Sequence, residues 1–353
     1  MTAVPNGWSG PPPREICIVM LSAIGDAVHV LPVANALKRT WPACRITWVV
    51  QPAARALVAG HPAIDELVVF HRRRGIGAWR GFRDIATELR PRRFDLLLGL
   101  QVYLKAGLIT AMAHARVKLG FDLRRARDAQ WLFTNARIPA RAPQHVQDQY
   151  FEFLQYLGID PEPVTWGLEL TDAEREDQAA FFGGLAAPAC ALVVGTSRPE
   201  KNWTVDGYVQ LAEQIEARHG LRPVLVGGPS PGERRIADKI LARARGRVVD
   251  ALADDVRRLV WLLDGSALVV TPDTGPLHIA RALETPVVSL FGRTNPKRSG
   301  PYRAYGELVV DGYAEYEGEE YPISAMARDG MSRVGVQAVL AKVDLAMAKY
   351  LTA

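Results

Sequence analysis

The sequence has little cysteine and no long hydrophobic run. Its three cysteines, Cys17, Cys44 and Cys190, are scattered and match neither a disulfide framework nor a metal-ligand spacing. No apolar stretch reaches the roughly 18 residues that a membrane-spanning helix needs. The first residues, MTAVPNGWSGPPPRE, have neither a basic start nor an apolar core, so we predict no secretory signal. These absences favour a chain that works in the reducing cytoplasm.

The usual signatures of nucleotide and metal binding are also missing. The chain contains neither the G-x-G-x-x-G dinucleotide fingerprint nor the G-x-x-x-x-G-K-[ST] phosphate loop. It has no Asp-x-Asp pair, which would supply carboxylates to hold a divalent ion against a nucleotide diphosphate. We therefore predict no metal site and no cofactor.

Positive charge is concentrated in one segment. The net charge of the chain is +5, but residues 71–141 hold 16 Lys or Arg against five Asp or Glu. Such a segment can meet nucleic acid, an anionic membrane or an acidic substrate, and its ordinary alternative is a solvated helix face. We predict no nucleic-acid partner, because no recognisable RNA-binding motif with interleaved aromatics is present.

Strand-type runs alternate with helical stretches in two series. The first holds EICIVML, RITWVV, ELVVF, FDLLLGL and VKLGF, and the second holds CALVVGT, RPVLVGG, RVVD, SALVVT and PVVSLFG. This alternation predicts parallel sheets, so the fold class is α/β with two Rossmann-like domains. We predict a flexible extension at 1–13, an N-terminal domain at 14–180, a C-terminal domain at 181–330 and a final helical segment at 331–353.

A carboxylate follows the first strand. The stretch LSAIGDAVHVL places Asp26 where the strand ends and a helix begins. Ligands of open α/β sheets bind beyond the carboxyl ends of the strands, so Asp26 would lie at the lip of a ligand crevice. Its ordinary alternative is a helix-capping carboxylate, and spacing alone leaves both readings open.

Three strand ends of the second series carry polar loops. In order along the chain they supply Thr196, Ser197 and Lys201, then Glu233, then Asp273, Thr274, Gly275 and His278. Hydroxyls, a lysine and a helix N-terminus suit a phosphate, and Glu233 suits a ribose diol. Taken singly, Asp273 or Thr274 is equally an N-cap, and Glu233 a first-turn carboxylate that complements its helix dipole. Three such loops on one sheet favour a nucleotide ligand.

Several of these stretches resemble one known family. LSAIGDAVHVLPVANAL, GTSRPEKNW and VVTPDTGPLHIARALETPVVSLFGRTNP, in this order and spacing, are similar to family 9 glycosyltransferases, the lipopolysaccharide heptosyltransferases. The similarity spans roughly residues 15–302. HRRRGIGAW, LGLQVYLKAG and GFDLRRARDA most resemble acceptor-side segments of the heptosyltransferase I subgroup, which adds the first heptose to the Kdo sugar of the inner core.

The resemblance implies a GT-B fold, in which two Rossmann-like domains face each other across a cleft and the last helix returns to the N-terminal domain. It implies inverting, metal-independent transfer of L-glycero-D-manno-heptose from ADP-heptose to the Kdo of a lipid A acceptor. The N-terminal domain would bind the acceptor and the C-terminal domain the donor. The enzyme would be cytoplasmic and peripherally associated with the inner membrane.

The resemblance also implies roles for individual residues. Asp26 matches the general base. On the donor side, the diphosphate loop is matched by Thr196, Ser197 and Lys201, the ribose contact by Glu233, and the loop that holds sugar and phosphates by Asp273, Thr274, Gly275 and His278. The basic positions that meet the acceptor are matched by Arg72, Arg73, Lys105 and Arg127. Glycines in RRRGIGAW replace expected charged or bulky residues, which weakens the acceptor assignment. Two alternatives stay open: a family 9 transferase with another acceptor or donor, and a nucleotide-binding protein without catalysis.

Overall fold

The alternating strands and helices form two α/β units. The structure, a computed structural model, describes residues 7–73, 75–244, 246–252 and 255–351. The first unit contains Met1–Ala142 and Val146–Leu168, and the second contains Pro143–His145 and Glu169–Ala353. Each unit has its own sheet of six strands, and all neighbouring strands are parallel. The predicted pair of Rossmann-like domains is thereby confirmed.

The first unit follows the βα alternation of its sequence. Its strands are β1 (Glu15–Val19), β2 (Arg45–Val50), β3 (Glu66–Val69), β4 (Arg93–Gly99), β5 (His114–Gly120) and β6 (Ala136–Arg137), and its helices are α1 (Ile24–Thr40), α2 (Pro52–Val58), α3 (Ala78–Leu89), α4 (Leu104–Met112) and α5 (Val146–Leu157). The strand order is β3-β2-β1-β4-β5-β6. Strand β1 is central and almost wholly apolar, because both faces of a parallel sheet are covered by helices.

Two helix layers enclose this sheet. On one side, Val19 and Leu97 of the sheet pack in a buried cluster with Ile85 of α3 and Ile109 of α4. Helix α5 packs against α1. The topology therefore places the first turns of α1, α3 and α4 at the carboxyl edge of the sheet, where β1, β3 and β4 end.

The second unit repeats the arrangement. Its strands are β7 (Ala189–Val193), β8 (Arg222–Val226), β9 (Val249–Asp250), β10 (Leu268–Pro272), β11 (Val287–Phe291) and β12 (Val309–Asp311), and its helices are α6 (Asp172–Gly183), α7 (Val205–His219), α8 (Pro231–Arg243), α9 (Val256–Asp264), α10 (Gly275–Ala282), α11 (Pro296–Ser299) and α12 (Val336–Tyr350). The strand order is β12-β11-β10-β7-β8-β9. The loops that follow β7, β8 and β10 consequently reach one sheet edge.

The division between the units differs from the predicted one at residue 180. Helix α6 belongs to the second unit because it packs on α9. Its Glu174 pairs with Arg257 at 2.6 Å, and its Gln178 donates to the carbonyl oxygen of Trp261 at 2.8 Å. The first unit therefore ends at Leu168, before this helix.

The two chain ends also differ from expectation. Residues 1–6 of the predicted flexible extension lie outside the described residues, whereas the amides of Gly7 and Trp8 bond to the carbonyl oxygens of Tyr156 and Leu157. The final helix α12, predicted to return to the N-terminal domain, groups with the second unit, because it packs on α7, β11 and β12. Its return to the first domain stays a prediction of the family resemblance.

The structure also bears on the three cysteines and on membrane-spanning helices. Cys17, Cys44 and Cys190 are buried free thiols. Burial raises the pKa of Cys17 to about 12, so this thiol stays protonated at neutral pH. Within the part of the chain that the structure describes, no helix combines the length and the apolar character that crossing a membrane requires.

Candidate functional site

Asp26 lies in the first turn of α1, just beyond the carboxyl end of β1. Its Oδ2 accepts a hydrogen bond of 3.0 Å from the amide of Ala23, so the carboxylate does cap the helix start. Its Oδ1 accepts a hydrogen bond of 3.2 Å from the hydroxyl of Tyr150 on α5. Capping does not exclude the role as a base, which stays a prediction.

Gln101 supports the loop that leads to Asp26. It follows β4, and its side chain is buried. Its Oε1 accepts from the amide of Leu21 at 3.3 Å, and its Nε2 donates to the carbonyl oxygen of Ser22 at 2.5 Å. Sequence analysis missed this residue, because a single glutamine after a strand carries no signal until the neighbouring strand is known.

The four predicted acceptor residues all follow strand ends of the first sheet. Arg72 and Arg73 lie exposed in the loop after β3, Lys105 lies in the first turn of α4, and Arg127 is exposed after β5. The amide of Arg127 donates to the carbonyl oxygen of Val102 at 2.8 Å, which joins the loops after β4 and β5. The parallel sheet thus brings the four basic residues to one edge.

Lys105 and Arg72 interact electrostatically. Burial lowers the pKa of Lys105, and the positive charge of Arg72 lowers it further. Both effects disfavour the ammonium form. A bound anion would stabilise that form, so this pair is suited to an acidic ligand.

A buried ion cluster fixes the loop after β5. The guanidinium of Arg125 donates to both carboxylate oxygens of Glu152 on α5, at 2.8 and 2.6 Å, and also pairs with Asp122. Glu152 is almost fully buried. Helix α5 therefore orients both Asp26 and the basic loop that contains Arg127, a shared role that the linear sequence does not reveal.

In the second unit, the loop after β7 is shaped by Thr196. Its hydroxyl donates to the carbonyl oxygen of Arg198 at 2.5 Å or to the side-chain oxygen of Asn202 at 2.9 Å, and it accepts from the amide of Arg198 at 3.2 Å. The next residue, Ser197, is exposed. The loop is thus a compact turn with one of its two predicted hydroxyls directed to solvent.

Lys201 and Asp273 form an ion pair. Lys201 Nζ lies 2.6 Å from Oδ2 of Asp273, and the same oxygen accepts a hydrogen bond from the hydroxyl of Thr294. Asp273 is buried, and the Lys201 side chain is only 18 % exposed. Two residues predicted to bind the nucleotide ligand therefore contact each other directly. Thr294 joins them, and sequence analysis missed it because it follows a different strand, β11.

Glu233 caps α8 and also approaches the loop after β7. It forms a capping box with Ser230, whose side chain accepts from the Glu233 amide at 3.1 Å. Its side chain lies against Gly195, which has a φ of +79°, and a Cβ there would come within 2.5 Å of Glu233 Cγ. Glu233 is thus a first-turn carboxylate, while its role as a ribose contact stays a prediction, and a glycine is required where the two loops meet.

The loop after β10 leads into α10. Thr274 occupies the N-cap position without a side-chain capping bond, Gly275 begins the helix, and His278 is buried one turn later. The first amides of this helix are therefore not capped by the Thr274 side chain. Among the described residues, no three His, Cys, Asp or Glu side chains gather so as to hold a metal ion.

The sequence of this chain matches a known protein family and curated relatives. Residues 82–319 match the family described as glycosyltransferase family 9 (heptosyltransferase). The chain belongs to glycosyltransferase family 9. It is 31 % identical to the lipopolysaccharide core heptosyltransferase OpsX of Haemophilus influenzae, over 88 % of this chain and 87 % of OpsX. It is 29 % identical to lipopolysaccharide heptosyltransferase 1 of Pseudomonas aeruginosa, over 82 % and 81 % of the two chains.

A solved structure extends the similarity to the fold of this family 9 glycosyltransferase. The Escherichia coli heptosyltransferase WaaC with ADP-2-deoxy-2-fluoro heptose superposes with a TM-score of 0.71. The match covers 94 % of this chain and 99 % of WaaC at 22 % identity. The GT-B fold class is confirmed, and the protein is a glycosyltransferase.

Proposed function

We propose that this family 9 glycosyltransferase transfers L-glycero-D-manno-heptose from ADP-heptose to the Kdo sugar of the lipopolysaccharide inner core. One observation carries the proposal: the ion pair between Lys201 and Asp273 lies beside the start of α10 at the carboxyl edge of the second sheet. A cation and the first amides of a helix together suit a diphosphate. The WaaC structure with ADP-2-deoxy-2-fluoro heptose supports the choice of donor.

The second unit would bind the donor. Thr196, Ser197 and Lys201 would contact the diphosphate, and Glu233 the ribose. Asp273, Thr274, Gly275 and His278 would hold the heptose and the phosphates. When the donor arrives, Lys201 would exchange part of its interaction with Asp273 for a phosphate oxygen, and Thr294 would still donate to the Asp273 carboxylate.

The first unit would bind the acceptor and supply the base. Arg72, Arg73, Lys105 and Arg127 would contact the carboxylate and phosphates of Kdo-lipid A. Asp26 would take the proton of the acceptor hydroxyl as that oxygen bonds to the anomeric carbon of the heptose. The bond from that carbon to the diphosphate breaks in the same displacement, which inverts the anomeric configuration and releases ADP. Lys201 and the amides of α10 would stabilise the departing negative charge without a metal ion.

Acceptor chemistry also implies a place of action. A lipid A acceptor is held in a membrane leaflet, so we propose that the enzyme works in the cytoplasm and meets the inner membrane peripherally. The excess of Lys and Arg between residues 71 and 141 supports this proposal. Anionic lipids attract basic segments within a Debye length, about 8 Å at physiological ionic strength.

Release of ADP from ADP-heptose, with and without Kdo-lipid A and in the presence of a chelator, tests the proposal. We expect acceptor-dependent release that resists the chelator and falls about 10²–10⁴-fold in Asp26→Ala, because general-base assistance contributes that much. Donor binding without transfer to Kdo-lipid A would redirect the search to other family 9 acceptors. Loss of activity with the chelator would contradict metal independence.

A further inference from the structure

The exposed apolar side chains are concentrated in one part of the first unit. Among the described residues, nine large hydrophobic side chains are exposed, and six of them fall between residues 79 and 132. These six are Trp79, Tyr103, Leu104, Leu123, Trp131 and Leu132. Isolated exposed leucines are ordinary, but such a concentration in one segment is typical of an interaction surface.

The fold brings the elements that carry these residues together. Trp79 lies in the first turn of α3 and Leu104 in the first turn of α4, and these two helices pack on each other. The 3₁₀ turn Gln130–Phe133, with Trp131 and Leu132, packs on α4. The loop that contains Leu123 is joined to the start of α4 by the Arg127–Val102 hydrogen bond. We call the six residues the apolar strip.

Arginine side chains surround the apolar strip. The guanidinium carbons of Arg80 and Arg83 lie 5.9 and 5.1 Å from the centroid of the Trp79 ring, and that of Arg137 lies 5.8 Å from the Trp131 ring. Arg124 is exposed next to Leu123. Aromatic rings flanked by arginines suit the headgroup region of a bilayer, where rings sit at the boundary and cations meet phosphates.

We propose that the apolar strip docks on an anionic lipid bilayer and inserts Trp79, Leu123 and Leu132 at the boundary between headgroups and acyl chains. The inference rests on the proposed lipid-linked acceptor and goes beyond attraction by charge alone. The strip continues the sheet edge that carries Arg72, Lys105 and Arg127, so docking would bring this edge to the bilayer surface. Basic charge at the strip also favours a bilayer with anionic headgroups over an uncharged partner.

Vesicle sedimentation tests this docking. Wild type, Leu123→Ala/Leu132→Ala and Trp79→Ala would be compared on phosphatidylglycerol-containing and pure phosphatidylcholine vesicles at low and high salt. Tyr316→Ala is the matched control, since Tyr316 is an exposed aromatic, 68 % accessible, in the second unit. We expect binding to anionic vesicles that falls about tenfold or more in the double leucine variant, since full burial of even one leucine contributes about that factor. Tyr316→Ala should bind like wild type.

A second measurement separates the docking from the proposed reaction. Leu132→Ala alone should also weaken vesicle binding but leave transfer to a deacylated, water-soluble acceptor unchanged, because Leu132 lies outside the acceptor-side segments and is assigned to neither ligand. Vesicle binding without any transfer by the wild type would refute the proposed function and leave the docking intact. Equal vesicle binding by the wild type and the double leucine variant would overturn the insertion. Self-association through the apolar strip without vesicle binding, which sedimentation velocity would detect, would overturn it too.

Discussion

The hydroxyl of Tyr150 donates a hydrogen bond of 3.2 Å to Oδ1 of Asp26. Tyr150 is buried on α5, and Asp26 lies 124 residues earlier on α1. The other carboxylate oxygen accepts a hydrogen bond from the Ala23 amide, so one donor from α5 and one from the loop before α1 both orient the carboxylate. We therefore expect Tyr150 to position Asp26.

Removing the Tyr150 hydroxyl should slow the reaction while the proposed base, Asp26, is retained. We expect Tyr150→Phe to lower kcat about three- to tenfold, the effect of roughly one ordinary hydrogen bond. The KM for donor and for acceptor should stay unchanged, because Tyr150 is assigned to neither ligand. Tyr156→Phe, on the same helix, is the control. A raised KM with unchanged kcat in Tyr150→Phe would contradict this role.

The Lys201–Asp273 pair should have separable structural and binding roles. Lys201→Met leaves the buried Asp273 carboxylate without its cation, which we expect to cost about 3 kcal/mol of unfolding free energy. ADP affinity should fall about 10- to 100-fold. In Lys201→Met/Asp273→Asn, stability should largely return while ADP binding stays weak. Denaturant unfolding and calorimetry measure the two effects, and recovery of ADP affinity in the double variant would refute a direct role for Lys201.

As the pH rises, acceptor binding should weaken at a lower pH than an ordinary lysine would cause. Burial and the charge of Arg72 lower the pKa of Lys105 below its usual value of 10.5. The KM for acceptor should therefore rise as Lys105 loses its proton, at a lower pH than an ordinary lysine would give. Arg72→Gln should raise the acceptor KM at all pH values, because a positive charge that meets the acceptor is lost. The further rise of KM on the alkaline side should move to higher pH, because Arg72 no longer repels the Lys105 ammonium. Arg93→Gln, at the amino edge of the sheet, is the control and should not change the pH at which the acceptor KM rises.

Acid should destabilise the second unit through Glu174. The hydrogen bond from Arg257 lowers the pKa of Glu174 to about 2, against 4.5 for an ordinary glutamate. Since the folded-state pKa is the lower one, this stabilisation is present above pH 4.5 and is lost as the pH falls towards 2. Glu174→Gln should make thermal unfolding less pH-dependent in that window. Glu176→Gln, exposed on the same helix, should behave like wild type.

Local sequence was sufficient for most elements of the two sheets. Helices α3 and α7 lie between strands as the predicted alternation requires, because amphipathic helices bounded by strands carry a strong periodic signal. Helix α6 was missed although Thr171 and Glu174 form a capping box, since no side chain on this mostly polar helix is fully buried. Where a helix carries little apolar periodicity, only its tertiary partner, here α9, reveals it.

The sequence by itself determined the α/β class, the family motifs and the strand ends on which the candidate residues lie. Strand order and packing decided which of these residues meet: Lys201 with Asp273 and Thr294, Asp26 with Tyr150, and Arg125 with Glu152. The physical reason is that helix and strand periodicity is a property of neighbouring residues. Pairing across 72 or 124 positions depends on which strands lie side by side, which no local pattern encodes.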